Sequence, residues 1–122
     1  MTSELKSKGA TITHAGTVKF DNLNGYQVGH GTGNWKVSPI AWPGFKPGQE
    51  PPVGQVLITF DKPIAGPYTV LVTAERSMDA PMLSANYGDK KPESFVVVIF
   101  NPVATLSYQT VRNSHFSFMV LQ

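Results

Sequence analysis

The chain has 122 residues, the length of one domain, and 41% of them are hydrophobic, which is enough to build a core. Charged residues are only 15% and the net charge is +2, too small for the basic footprint of a nucleic-acid-binding protein. The lack of cysteine excludes disulfides and cysteine-ligated zinc, and a run of about 18 apolar residues, as needed for membrane insertion, is absent.

The first nine residues are polar and lack the apolar run of a signal peptide, so residues 1–9 are interpreted as a linker or N-terminal extension and 10–122 as the domain. Gly and Pro number 11 and 10 and interrupt every window that could hold a longer helix. Runs rich in β-branched and aromatic residues predict strands at 10–13, 17–20, 26–30, 35–38, 55–60, 68–74, 82–87, 94–100, 104–110 and 115–121. This pattern indicates an all-β fold, an antiparallel β-sandwich or jelly-roll-like knob.

The strand pattern disappears between Ser38 and Gly54, a segment that holds half of the prolines in the chain. We expect one long, stiff loop rich in Pro and Gly in this place. The loop carries Trp42 and Phe45, and a glycine-rich run at 29–33 precedes it. This run lacks the pattern of a phosphate-binding loop, and we interpret it as a glycine hairpin with positive φ angles.

The C-terminal stretch is the most informative part of the sequence. Residues 94–100 are almost entirely apolar, which predicts a central strand. The last strand is apolar on both faces, because Phe116 and Phe118 lie on one face while Met119 and Leu121 lie on the other. Side chains of this kind must be sheltered from water, either by the domain's own sheet or by a neighbouring subunit. We therefore predict that all four belong to an oligomer interface.

Catalytic and metal-binding patterns are weak in this sequence. The histidines His14, His30 and His115 lack the spacing of metal ligands, so no metal site is predicted within one chain, although a subunit axis can gather copies of one histidine. The acids are scattered singly, and only Asp79 and Asp89 flank one strand in a way that could form a catalytic pair. Without a nucleophile motif, the sequence predicts a protein that is not an enzyme and needs no cofactor.

Aromatic residues in irregular regions are the best candidates for ligand binding. Their rings can stack on sugars while amides and carboxylates bind the hydroxyl groups. The first candidate patch consists of His30, Asn34, Trp35, Trp42 and Phe45. Alternatively, its rings close the end of the sandwich or face another subunit. A second candidate patch, at a predicted hairpin tip, consists of Asn86, Tyr87 and Asp89.

Residues 55–64, 66–74 and 115–121 resemble the C-terminal domains of bacteriophage tail fibres and tailspikes. In those domains a strand that ends in Phe leads to a short turn with Pro, a Tyr-x-Val-x-Val-Thr strand follows, and the chain finishes on an aromatic strand. Here Phe60 ends the first strand and Tyr68 begins the second. The same layout occurs in H-type lectins and in complement-type and tumour-necrosis-type jelly rolls.

This resemblance implies a non-enzymatic homotrimer in the virion tail that attaches to a bacterial surface glycan or outer-membrane receptor. Virions leave the host by lysis, so such a protein needs no signal peptide. The resemblance supplies no motif for binding residues. Three other functions stay open: a carbohydrate-binding module of a secreted enzyme, a virion structural or decoration protein, and a small glycan hydrolase or lyase.

Overall fold

The computed structural model describes residues 9–21, 25–40, 53–75, 84–100 and 115–122. The strands in these ranges are β1 (Ile12–Asp21), β2 (Gly25–Gly31), β3 (Trp35–Pro39), β4 (Val53–Phe60), β5 (Thr69–Ala74), β6 (Ser84–Gly88), β7 (Ser94–Phe100) and β8 (Phe116–Leu121). They form two four-stranded sheets, sheet A with the order β2-β1-β8-β5 and sheet B with the order β3-β4-β7-β6. Every pairing is antiparallel. The predicted all-β sandwich is confirmed.

Two of the predicted strands are in fact one. The runs at 10–13 and 17–20 merge into β1, whose pairing shifts register between Ile12 and His14 on one side and between Thr17 and Val18 on the other. Such bulges let a strand bend while it stays paired. The predicted strand at 104–110 and most of the predicted long loop lie outside the described residues.

The glycine-rich run at 29–33 contains the turn and the positive φ angle that we expected, but this turn joins two sheets and does not form a hairpin. The positive φ angle is that of Gly33, at 81°, while Gly29 and Gly31 belong to β2, which is extended. Gly31 is needed for a different reason: a Cβ atom there would lie 2.4 Å from the Ala15 carbonyl oxygen on β1. The glycine therefore lets two strands approach closely rather than reverse direction.

The core lies between the inner faces of the two sheets. Its aromatic centre is Phe118, whose ring makes edge-to-face contacts with Trp35 at 4.7 Å and with Phe95 at 5.5 Å between centroids. Such contacts contribute about 0.5–1.5 kcal/mol each beyond the area that they bury. Because Trp35 and Phe95 belong to sheet B and Phe118 to sheet A, these contacts hold the two layers together.

β7 is one of the two central strands of sheet B, as the sequence predicts, and β8 is one of the two central strands of sheet A. β8 lies between β1 and β5, so its backbone is paired on both sides. The prediction that Phe116 and Phe118 lie at an oligomer interface is wrong, because they are 0% and 4% exposed inside a single chain. Only Met119 and Leu121 of the four predicted residues point away from the core, and both are half-buried.

Candidate functional site

Trp35 is a core residue, and the structure corrects the expectation that its ring is a platform for a ligand. The side chain is only 4% exposed, and the indole Nε1 donates a hydrogen bond of 3.0 Å to the Ala15 carbonyl. A Cβ atom on Gly16 would lie 2.1 Å from Cζ2 of the ring. The indole therefore fills a space that only glycine leaves open, in agreement with the packing alternative.

Asn34 fixes the turn between β2 and β3 to the start of β1. Its Nδ2 donates to the Thr13 carbonyl at 3.1 Å, and its Oδ1 accepts a hydrogen bond of 2.5 Å from Thr32 Oγ1. The Asn34 carbonyl also accepts a bond of 3.0 Å from the Asp61 amide. Both polar ends of this side chain are thus used within the chain, which makes Asn34 a positioning residue.

The rest of the first predicted patch does not come together around Trp35. His30 is exposed and opposes Thr17 across the β1–β2 pairing, so it lies on the outer face of sheet A. Trp35 lies on the inner side of sheet A instead, because its ring belongs to the core between the two sheets. Trp42 and Phe45 lie outside the described residues.

The second predicted patch is split by the geometry of β6. Tyr87 opposes Val97, a core residue of β7, whereas Asn86 opposes Val98 on the other face of sheet B. Neighbouring residues of a strand point to opposite faces, so these two side chains do not form one surface. Asp89 is exposed in the turn after β6, where its φ angle is 47°.

An apolar surface covers the middle of sheet A on the side away from the core. It consists of Ile12, Leu71, Met119 and Leu121, and we call it the outer apolar face. Met119 opposes Leu71 on β5, and Leu121 opposes Ile12 on β1. Ile12 and Leu71 are each 52% exposed. A shallow groove of about 160 Å³ runs between β5 and β8 on this side.

The surroundings of the outer apolar face carry no charge on the described part of β5, β8 and the first half of β1. The neighbouring outward residues are Ala15, Thr17, Thr69, Thr73 and Ser117. Thr17 Oγ1 and Ser117 Oγ are hydrogen-bonded to each other at 3.1 Å. Beyond this region, His115 Nδ1 lies 3.3 Å from Glu75 Oε2. The face thus presents methyl and thioether groups bordered by hydroxyls.

A polar concavity of about 480 Å³ lies at one end of the sandwich. Its lining comes from the start of β1, the turn between β2 and β3, the loop between β4 and β5, and the end of the chain: Thr13, His14, Asn34, Asp61, Lys62, Pro63, Ile64, Ala65 and Gln122. His14 is 7% exposed, and its ring lies 4.5 Å from the Phe60 ring between centroids. Burial lowers the pKa of His14, and the nearby Asp61 carboxylate opposes part of this effect.

The sequence reasoning missed His14 as a site residue, although one signal was present. His14 has the same parity along β1 as Val18 and Phe20, which predicts that it points inward with them. Two elements that meet it, the loop at 61–65 and the end of the chain, are distant in sequence. Their proximity follows from the sheet order and not from any local pattern.

Comparisons with protein-family models, with curated proteins and with solved structures find no match to this chain. Among the described residues, no three His, Asp or Glu side chains are grouped closely enough to hold a metal ion. The same ranges contain no helix of the length and hydropathy required to cross a membrane.

Proposed function

We propose that this protein is a non-enzymatic attachment domain that self-associates through its outer apolar face, as a terminal domain of a bacteriophage tail fibre or tailspike. The observation that carries the proposal is the uncharged face around Met119 and Leu121, in which Ile12 and Leu71 are half exposed. Contiguous apolar patches of this kind mark interaction sites in soluble proteins.

The outer apolar face has the properties of a surface that other copies of the chain cover. Its side chains project from β1, β8 and β5, and the middle strand is hydrogen-bonded to both of the others. The backbone is therefore already paired, so association proceeds through side-chain packing and not through the addition of a strand. A surface held rigid in this way loses little conformational entropy when it is covered.

A homotrimer is the assembly that we propose, and a bacterial surface glycan or outer-membrane receptor is its partner. The resemblance of residues 55–64, 66–74 and 115–121 to fibre and tailspike domains supports both parts of this proposal. Several copies held in one assembly bind a repetitive surface far more tightly than a single copy does. Weak individual sites are then sufficient for attachment of a virion to its host.

A carbohydrate-binding module that acts as a monomer is the second candidate. The polar concavity favours it, because its lining combines polar side chains such as Asn34 and Asp61 with apolar ones such as Pro63 and Ile64. The two candidates differ in what they require of the outer apolar face. The first requires it to be covered by other copies, and the second does not.

The molar mass of the protein in solution tests the first candidate. We expect light scattering to give about three times the 13.3 kDa of one chain. Leu71→Asp places a charge on the outer apolar face at an exposed position, so we expect a folded monomer. Ser38→Asp, on the exposed outer side of sheet B, is the matched control and should remain a trimer. A monomeric wild-type protein, or a Leu71→Asp variant that keeps the assembly, would overturn the proposal.

A further inference from the structure

We propose that the polar concavity at the end of the sandwich binds one residue of a neutral, hydroxyl-rich ligand, that is, a sugar ring. The inference deepens the proposed function and rests on it for the biological source of this sugar, a glycan of the bacterial surface. The concavity of about 480 Å³ falls within the range of about 300–1,000 Å³ that is typical of small-molecule sites.

The buried wall of the concavity offers an unpaired ring nitrogen. His14 Nδ1 lies 2.9 Å from Thr13 Oγ1, and either atom can be the donor of this bond. Where the Thr13 hydroxyl donates to the Val120 carbonyl, at 3.5 Å, Nδ1 carries the imidazole proton and Nε2 is an acceptor; in the other tautomer Nε2 is a donor. In both forms Nε2 has no hydrogen-bond partner among the described residues, and a sugar hydroxyl can pair with either form.

An unpaired polar atom in such a place needs an explanation. His14 is 7% exposed and lines the concavity, and a buried polar atom without a hydrogen bond is unfavourable. A ligand hydroxyl that pairs with Nε2 removes this cost. The ring is held in place for this role, because it packs against Phe60 and is bonded through Nδ1.

The rim adds two charged side chains that can form hydrogen bonds with further hydroxyls of the ligand. Asp61 supplies a carboxylate that accepts hydrogen bonds, and Lys62 supplies an ammonium group that donates them. The loop that carries both is fixed at each end, since the Asp61 amide bonds to the Asn34 carbonyl at 3.0 Å and the Ile64 amide bonds to the Pro92 carbonyl at 2.8 Å. Gln122 closes the same side by donating from Nε2 to the Ala65 carbonyl. A site whose walls are already bonded is organised before the ligand arrives.

The charge of the lining favours a neutral ligand over an ion. Among the side chains of the lining, the carboxylate of Asp61 and the ammonium group of Lys62 balance each other, and burial favours the neutral form of His14. Ile64 and Pro63 add apolar surface for the C–H groups of a ring. Acceptors, a donor and an apolar wall within one recess match the alternating polar and apolar groups of a sugar.

Titration with simple sugars, followed by NMR, tests the assignment. The probes are methyl glycosides of glucose, galactose, mannose and rhamnose together with N-acetylglucosamine and N-acetylgalactosamine. We expect at least one of them, at concentrations up to about 50 mM, to cause saturable shifts of the His14 imidazole and the Asp61 and Ile64 amides. Absence of such shifts for the whole set would overturn the proposal.

Two variants separate this site from other parts of the molecule. Asp61→Asn keeps the size of an exposed side chain and removes a charged acceptor, so we expect binding to weaken about tenfold or more. Asp89→Asn makes the same change in the turn after β6 and should leave the affinity unchanged. Equal affinity of Asp61→Asn and the wild-type protein would contradict the assignment.

The Leu71→Asp variant distinguishes failure of this inference from failure of the proposed function. Because the concavity is built within one chain, the monomeric variant should bind the same sugar with the same affinity per site. A trimer that binds no sugar would overturn the site and leave the assembly standing. A wild-type protein that is monomeric and binds sugar would support the site, overturn the proposed assembly and select the carbohydrate-binding module instead.

Discussion

β7 and β8 occupy equivalent positions in the two sheets but differ in how deeply their outer faces are buried: an outward residue of β7 is buried, whereas every outward residue of β8 is half-buried. Val96 of β7 opposes Leu57 on the outer side of sheet B and is nevertheless 9% exposed. On the outer side of sheet A, Met119 and Leu121 are half-buried, and Leu71 beside them is 52% exposed. The two strands are apolar on both faces, but a single chain buries the outer face of β7 more deeply than that of β8. This difference supports the proposal that another copy of the chain covers the outer side of β8.

The largest expected effect separates the two faces of β8. Phe118→Ala removes a ring from the contact between the sheets, and we expect a loss of about 3–5 kcal/mol in the free energy of unfolding. Met119→Ala, one position along the strand but on the outer side, should cost about 1 kcal/mol or less in a monomeric background such as Leu71→Asp. Urea denaturation of both variants in that background measures the two costs. Similar values would mean that the two faces of β8 are equally buried within one chain.

A charge placed on the outer face of each central strand sharpens the comparison between β7 and β8. Val96→Asp buries a carboxylate without a partner inside one chain, and we expect it to lower the free energy of unfolding by about 2–4 kcal/mol. Met119→Asp, like Leu121→Asp, should instead abolish assembly and leave a folded monomer. Circular dichroism reports the folded state and sedimentation velocity reports the assembly. A Met119→Asp variant that still sediments as a stable trimer would contradict the proposal that other copies cover the outer side of β8.

The sequence predicted the fold well because the relevant information is local. Alternation along strands and Gly and Pro between them identified the sandwich, and the apolar run of β7 identified a central strand. The two-sided apolar pattern of β8 was also correctly recognised. This pattern does not show whether the same chain or another copy covers the outer face of β8. Phe116 and Phe118 were assigned to an interface because periodicity shows that a residue avoids water but not whether its own chain or another shelters it.

The candidate site was harder to predict, because it depends on contacts between distant segments. Trp35 looked like an exposed ring in a glycine-rich region, but its space is created by Gly16 on another strand. Asn34 looked like a ligand-binding amide, but its partners are Thr13 and Thr32. His14 had no recognisable spacing, and its neighbour Asp61 comes from a loop that only the sheet order brings close.

The smallest expected effect concerns the polar residues buried beside the two central strands. Ser94 begins β7, and His14 opposes Val120 on β8; both are buried, but only His14 has an ionisable side chain. Because burial lowers the pKa of His14 below its ordinary value of 6.5, the unfolded chain takes up a proton more readily than the folded one. The contribution of His14 to stability is therefore complete above about pH 6.5 and declines as the pH falls from there toward the lower pKa of the folded state.

His14→Gln removes this titration and keeps a polar side chain. We expect the free energy of unfolding of the wild-type protein, measured in urea, to fall more between about pH 7.5 and about pH 5 than that of His14→Gln. The charged groups that line the same recess are Asp61 and Lys62, and the Asp61 carboxylate reduces the effect because it favours the protonated imidazole. His30→Gln, which removes an exposed imidazole from β2, serves as the control for the loss of an imidazole elsewhere in the chain. If His14→Gln and the wild-type protein lose stability in parallel, the buried imidazole does not titrate in this range. His14 beside β8 then contributes no more to the pH dependence of stability than Ser94 beside β7.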